Sequence, residues 1–219
     1  MNAMIRTRIK ICGITRPEDA LAAERAGCDA VGLVFWESSA RFVPLSRARE
    51  ICRGLSPLVS RVGVFVSPSM EQVSRAAREA SLDAVQLCGP LPGTDWSRAS
   101  SGLRLIRALA VEDDRPIIFD ELEGVNDYLF DTRDEGTHGG TGRTFDWSKL
   151  RQKVINGRVW LAGGLNPSNV AVAIRIVRPF AVDVSSGVES EPGIKSVERI
   201  AAFVAAVKEA DAAVRNGIL

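Results

Sequence analysis

Residues 8–15 read Arg-Ile-Lys-Ile-Cys-Gly-Ile-Thr. Polar Arg8, Lys10 and Cys12 alternate with apolar Ile9 and Ile11, as suits a β-strand, and Gly13 with Thr15 then breaks the alternation. Thr15 and Glu18 stand at capping-box spacing and Pro17 falls in the first turn, so a helix is predicted directly behind the strand. Cys12 therefore lies where a strand hands over to a helix. That is the end of a strand at which α/β proteins keep their chemistry.

The same unit recurs along the chain. Residues 17–26 are alanine-rich and stop at Gly27, where a helix-terminating glycine belongs. Residues 30–35 form a continuous apolar run, the pattern of a strand buried on both faces in a parallel sheet. Further strands are predicted at 62–66, 83–87, 103–110, 127–131, 158–162 and 180–184. Helices are predicted over 46–54, from Ser67-Pro68 to about 80, near 146–153, behind Asn166-Pro167, and over 195–214. Between 111 and 126, Asp113, Asp114 and Pro116 argue against a full helix, so the fifth is expected to be short or missing. Eight strands in 219 residues, with a helical segment after nearly every one, predict an α/β fold, a single-domain (β/α)8 TIM barrel over 1–219 with residues 1–7 as an N-terminal extension.

Composition narrows the function classes. A hydrophobic fraction of 46% with 25% charged residues is that of a globular protein. Lys+Arg 28 against Asp+Glu 27 leaves no electrostatic footprint for nucleic acid. No run approaches the roughly 18 apolar residues of a membrane span, and the first eight residues lack a signal-peptide core, so no membrane partner and a cytoplasmic location are expected. Cys12, Cys28, Cys52 and Cys88 form no CxxC pair and His138 is the one histidine. Free thiols and no metal are expected.

In a barrel the candidate site residues are read from their positions at strand ends. They are Cys12 after strand one, Arg41 in the second loop, Gln86 at strand four, Asp131 at strand six and Asp183 within strand eight. Gly163-Gly164 and Ser185-Ser186-Gly187 follow strands seven and eight, where accessible N–H groups and a helix N-terminus make a phosphate site. Each has a plainer alternative: tight turns for the glycines, an inert buried thiol for Cys12, a cap for Asp131, a surface cation for Arg41. Cys12 and Asp131 stand nearly across the barrel mouth from each other, as suits a base and an acid acting on one sugar. Residues 132–143 are polar and glycine-rich, with His138 and Gly142 among them, and such a loop can move.

The ordered set Lys10-Ile-Cys-Gly-Ile-Thr15, Ser39 to Arg41, Asp83-Ala-Val-Gln-Leu87, Leu129-Phe-Asp-Thr132, Gly139-Gly-Thr-Gly142, Thr144-Phe-Asp-Trp147, Leu161-Ala-Gly-Gly-Leu165 and Asp183-Val-Ser-Ser-Gly-Val-Glu189 resembles the phosphoribosylanthranilate isomerase family over nearly the whole chain. The resemblance implies the Amadori rearrangement of N-(5'-phosphoribosyl)anthranilate to 1-(2-carboxyphenylamino)-1-deoxyribulose 5-phosphate in tryptophan biosynthesis. It implies a phosphosugar as the small-molecule partner, no cofactor, and a monomer or homodimer. Asp131 would be the general acid and Cys12 the general base. Arg41 would hold the anthranilate carboxylate, and Asp183, Gly142, Gly163, Gly164, Ser185 and Ser186 would bind substrate, the last residues at its phosphate. The chain departs from the family pattern at Cys88, where a histidine commonly follows Gln-Leu, and at Ser38 and Ala40, where lysine and proline often precede the loop arginine.

Two other readings stand beside it. The related sugar isomerase of histidine biosynthesis runs the same rearrangement on a two-phosphate substrate, with aspartate where Cys12 stands. A catalytically silent barrel that binds a phosphosugar is the other.

Overall fold

The computed structural model describes residues 6–91, 96, 102–117, 125–132, 144–151 and 155–216. Its elements run β1 (Arg8–Ile11), α1 (Pro17–Ala26), β2 (Ala30–Val34), α2 (Leu45–Gly54), β3 (Ser60–Val66), α3 (Met70–Ala80), β4 (Ala84–Cys88), β5 (Arg104–Val111), β6 (Asp127–Thr132), α4 (Ser148–Arg151), β7 (Arg158–Leu161), α5 (Val170–Val177), β8 (Ala181–Val184), a 3-10 turn (Ser186–Val188), β9 (Glu189–Glu191), β10 (Ile194–Lys195) and α6 (Val197–Arg215). Strands β1 to β8 pair in parallel with their neighbours. β8 returns to β1 through Arg8 opposite Ala181 to Ile11 opposite Val184, closing an eight-stranded barrel. Among the described residues no helix separates β5 from β6, and residues 118–124 of the stretch where a short or missing fifth helix is expected lie outside them.

Alternation along the strands builds two cores. Ile9 and Ile11 join the large cluster between the barrel and its helices. Inside the barrel, Ala30, Val62, Ala84, Ile106, Leu129 and Ala162 make one apolar cluster, and Cys12, Val34 and Val64 make a small second one. Lys10 also points inward and is completely buried. Thr7, within the stretch read as an extension, is buried too, and its N–H and hydroxyl donate to Asp211 of α6 at 2.8 and 2.7 Å. Asp211→Ala strands both donors. The expected loss, read from urea unfolding, is about 1.5–3 kcal/mol.

The helix starts differ from expectation in instructive ways. The α1 N-cap is Arg16, whose side chain makes no capping bond, and Pro17 does open the helix. The Thr15 hydroxyl donates to the Gly193 carbonyl at 2.5 Å instead of capping. In α3 the capping box belongs to Ser69 and Gln72 rather than to Ser67, which has φ 44°. Asn166-Pro167 begins a turn and α5 starts only at Val170, with the Asn166 N–H bonded to Asn169 Oδ1 at 2.8 Å. Lys195 lies in the antiparallel hairpin β9–β10, which was not foreseen, and the last helix starts two residues later.

Candidate active site

The C-terminal ends of the barrel strands surround a cavity of about 830 Å³, within the range of small-molecule sites. Cys12, Arg41, Asp131, Asp183, Gly163, Gly164, Ser185 and Ser186 all line it, as do Gln86, Cys88 and Arg107. Gly142 and His138 lie outside the described residues.

Cys12 follows β1 and shares its inward face with Lys10, two residues earlier. The Lys10 ammonium donates to Asp183 Oδ2 at 2.7 Å and to Gln86 Oε1 at 3.0 Å, bridging β1, β8 and β4 beneath the cavity floor. Burial pulls Lys10 down, but Asp183 and Cys12 outweigh it and hold the ammonium above its ordinary pKa. The Cys12 thiol is pushed up by its burial, a rise that the neighbouring Lys10 charge reduces but does not cancel. The sequence offered no reason for a low or high thiol pKa; the structure supplies both opposing causes. Gly32 makes room for the pair: a Cβ there would fall 2.7 Å from Cys12 Sγ and 3.2 Å from Lys10 Cε. Gly32→Ala is expected to displace the thiol and lower kcat/KM about tenfold or more in a steady-state assay.

Arg41 is held rather than free. Its Nε and Nη2 donate to the two oxygens of Glu189 at 2.8 and 2.7 Å, a bidentate pair on one edge of the guanidinium. Lys195 Nζ donates to the same Glu189 at 2.7 Å and to the Ser185 carbonyl at 3.2 Å. Burial raises the Glu189 carboxyl, yet Arg41 and Lys195 bring it below its ordinary value, so it stays charged. The Arg41 stem lies over Gly13 (φ 72°), where a Cβ would come 2.5 Å from its Cδ. The opening motif thus needs its glycine for the arginine as well as for the turn.

Asp131 sits near the end of β6, opposite Ala110 of β5. Gly163, with φ 85°, packs so closely on Thr132 that a side chain would collide with its backbone nitrogen. A Cβ on Gly187 would collide with the Leu165 carbonyl oxygen, so the loops after β7 and β8 are pressed together at this wall. Gln86 Nε2 approaches Cys88 Sγ at 3.5 Å, and burial pushes the Cys88 thiol up to about 12. Cys28 and Cys52 are buried away from the cavity, their thiols pushed up by burial to about 12 and about 11.

Sequence reasoning missed Lys10, Glu189, Lys195 and Arg107. Arg107, on the face of β5 opposite inward Ile106, donates to the carbonyls of Leu87 and Gly89 at 3.2 and 2.8 Å. A charged residue at an inward-facing strand position was the available signal for Lys10; no such signal marks Arg107, whose neighbours Ile106 and Ala108 take the inward positions. Among the described residues no group of three or more His, Cys, Asp or Glu is placed to hold a metal ion, and no helix is long and apolar enough to cross a membrane.

Residues 9–206 match the family model for N-(5'-phosphoribosyl)anthranilate (PRA) isomerase. The chain belongs to this isomerase family. An N-(5'-phosphoribosyl)anthranilate isomerase from Pseudomonas aeruginosa is 46% identical over 209 residues, covering 94% of this chain and 97% of the relative. Among solved structures, monomers of the dimeric phosphoribosylanthranilate isomerase from Thermotoga maritima align with TM-score 0.78 and 38% identity, over 93% of this chain and 99% of that one. A phosphoribosyl anthranilate isomerase in complex with reduced 1-(o-carboxyphenylamino)-1-deoxyribulose 5-phosphate aligns with TM-score 0.77 and 38% identity over the same shares. The isomerase-family match takes in every cavity-lining residue named above, from Cys12 to Ser186, together with Glu189, the partner of Arg41, and Lys195, which holds Glu189.

Proposed function

We propose that Cys12 and Asp131 are the base and acid of an Amadori rearrangement that converts N-(5'-phosphoribosyl)anthranilate to 1-(2-carboxyphenylamino)-1-deoxyribulose 5-phosphate. The chain is thus an isomerase of tryptophan biosynthesis. The observation that carries the assignment of roles is the single cavity lined at once by the β1 thiol, the β6 carboxyl and the small-residue loops after β7 and β8.

The chemistry follows from that arrangement. Asp131, protonated, gives its proton to the furanose ring oxygen as the anthranilate nitrogen pushes its lone pair toward C1', opening the ring to a Schiff base. The Cys12 thiolate then removes the C2' proton, and the electron pair moves onto the nitrogen to give an enolamine. Tautomerisation yields the ketone. Both proton transfers are general acid–base steps. Lys10, charged and beside Cys12, favours the thiolate that the second step needs.

The remaining residues hold the substrate. Gly163, Gly164, Ser185 and Ser186 border the cavity where two loops meet, and their N–H groups suit the phosphate. Gly142 is assigned to the same task. Asp183 Oδ1 is buried and, among the described residues, has no hydrogen-bond donor, while Oδ2 is taken by Lys10. A ribose hydroxyl would satisfy it. Arg41 takes the anthranilate carboxylate. The enzyme is read as cytoplasmic and as a monomer or homodimer, the Thermotoga relative being described as dimeric.

A fluorescence assay tests the function, since anthranilate-derived substrate loses its emission as it turns over. Turnover of phosphoribosylanthranilate, and none of the two-phosphate substrate of histidine biosynthesis, is expected. The reverse result overturns the proposal, and binding of the first without turnover leaves only a silent binding barrel.

A further inference from the structure

The Arg41 stem lies over Gly13 of the opening motif, and the role proposed for Arg41 makes its orientation matter. A guanidinium offers five N–H donors in a planar fork. Among the described residues Glu189 engages the Nε–Nη2 edge, so the end-on edge formed by Nη1 and Nη2 remains for a second carboxylate. Glu189 is itself fixed: its carboxylate receives Lys195, whose side chain is fully buried, and its carbonyl receives Arg199 Nη1 of α6.

The hairpin carrying these groups is stapled to the first loop of the barrel. Thr15 donates to the Gly193 carbonyl, and the Lys195 N–H donates at 3.1 Å to Asp19 of α1, which Arg16 also grips at 2.6 and 3.0 Å. Lys195 Nζ further reaches the Ser185 carbonyl in the loop that borders the phosphate wall. One buried ammonium therefore ties the anchor of Arg41 to the neighbouring Ser185 loop, whose Ser185 side chain approaches Gly13 alongside the Arg41 stem.

We infer that Glu189, held by Lys195, is a positioning residue that aims Arg41 at the carboxylate on the substrate's aromatic ring and thereby sets the preference for a carboxylated substrate. The inference rests on the function proposed above and assigns a task to residues outside the catalytic pair. Charge alone predicts the opposite outcome. Removing the Glu189 charge leaves two cations, Arg41 and Lys195, which would attract an anionic ring more strongly. A loss of preference on neutralising Glu189 therefore points to geometry.

The test compares kcat/KM for N-(5'-phosphoribosyl)anthranilate with that for N-(5'-phosphoribosyl)aniline, which lacks the ring carboxylate, in the wild type, Glu189→Gln, Arg41→Ala and the double variant. The wild-type ratio should favour the carboxylated substrate. Glu189→Gln should lower that ratio on the order of tenfold to a hundredfold, mainly through the KM of the carboxylated substrate, as expected for losing a well-directed charged contact. It should have little further effect in the Arg41→Ala background. Inhibition by inorganic phosphate should stay within about twofold of the wild type, whereas general loosening of the site would weaken it together with the ratio. A wild type without preference overturns the role given to Arg41. A wild type with preference that Glu189→Gln retains overturns the positioning role alone. Should Glu189→Gln fail to fold, Glu189→Asp, which keeps the charge but shortens the arm, must also lower the ratio, and a retained ratio there refutes the inference.

Discussion

Cys12→Ser and Asp131→Asn should each lower kcat by at least about a hundredfold, the low end for loss of a general base or acid. Serine keeps the shape of the cysteine but yields its proton far less readily, and asparagine keeps the shape of the aspartate without an acidic proton. Circular dichroism should show both variants folded, and near-wild-type turnover in either one would refute the roles. The pH profile of the wild type tests the same pair. On the roles proposed, turnover needs Cys12 as thiolate and Asp131 as acid at once. The thiol lies above its ordinary value of 9.0 because of burial, which outweighs the help from Lys10. Between the two pKa values the thiolate fraction rises as fast as the acid fraction falls, so kcat/KM is flat. Beyond the thiol pKa the thiolate is complete while the acid is still being lost, and activity declines. The alkaline limb therefore reports Cys12 and should lie above pH 9.0.

Lys10→Met should be the most damaging single change to stability. It leaves Asp183 in the barrel without its buried partner, 2.7 Å away in the wild type. Removing one member of a buried pair costs about 3–5 kcal/mol, measurable as a lower urea midpoint at unchanged slope. The variant also removes the cation that opposes the burial of Cys12. The thiol pKa then rises, the alkaline limb moves to higher pH, and the plateau falls by the same factor, because less thiolate coexists with the acid. A variant that loses stability but keeps the wild-type alkaline limb would show that Lys10 supports the barrel without touching the thiol.

The barrel was legible because its signal is local and repeated. Apolar runs such as 30–35 and helix stops such as Gly27 recur at intervals that favour a closed parallel barrel over an open sheet. Strand-end position then located Cys12, Arg41, Asp131 and Asp183, and all four do line one cavity. The failures share a different cause, since they depend on partners remote in sequence. Thr15 looks like a cap until a carbonyl 178 residues away takes its hydroxyl. Lys195 looks like the start of a helix, because strands as short as β9 and β10 carry no readable period. Arg41 and Glu189 are 148 positions apart, and no local pattern marks them as a pair. Lys10 was readable in principle, as a charge on the inward face of a strand, but its role depends on Asp183 from the other end of the chain.

The seam where β8 meets β1 bears on how the molecule reaches activity. Lys10 and Asp183 join residues 173 positions apart, and Thr7 with Asp211 joins residues 204 apart. Contacts of such separation carry the largest loop-closure cost and raise contact order, which slows folding. The first strand carries Lys10 and leads into Cys12, but the carboxylate that pairs with the lysine comes from β8. Its cavity wall is finished only when the last strand arrives. The site is thus completed by the docking of β8 on β1, and an incomplete chain emerging from the ribosome holds the Cys12 thiol without the buried lysine–carboxylate pair that adjoins it in the closed barrel.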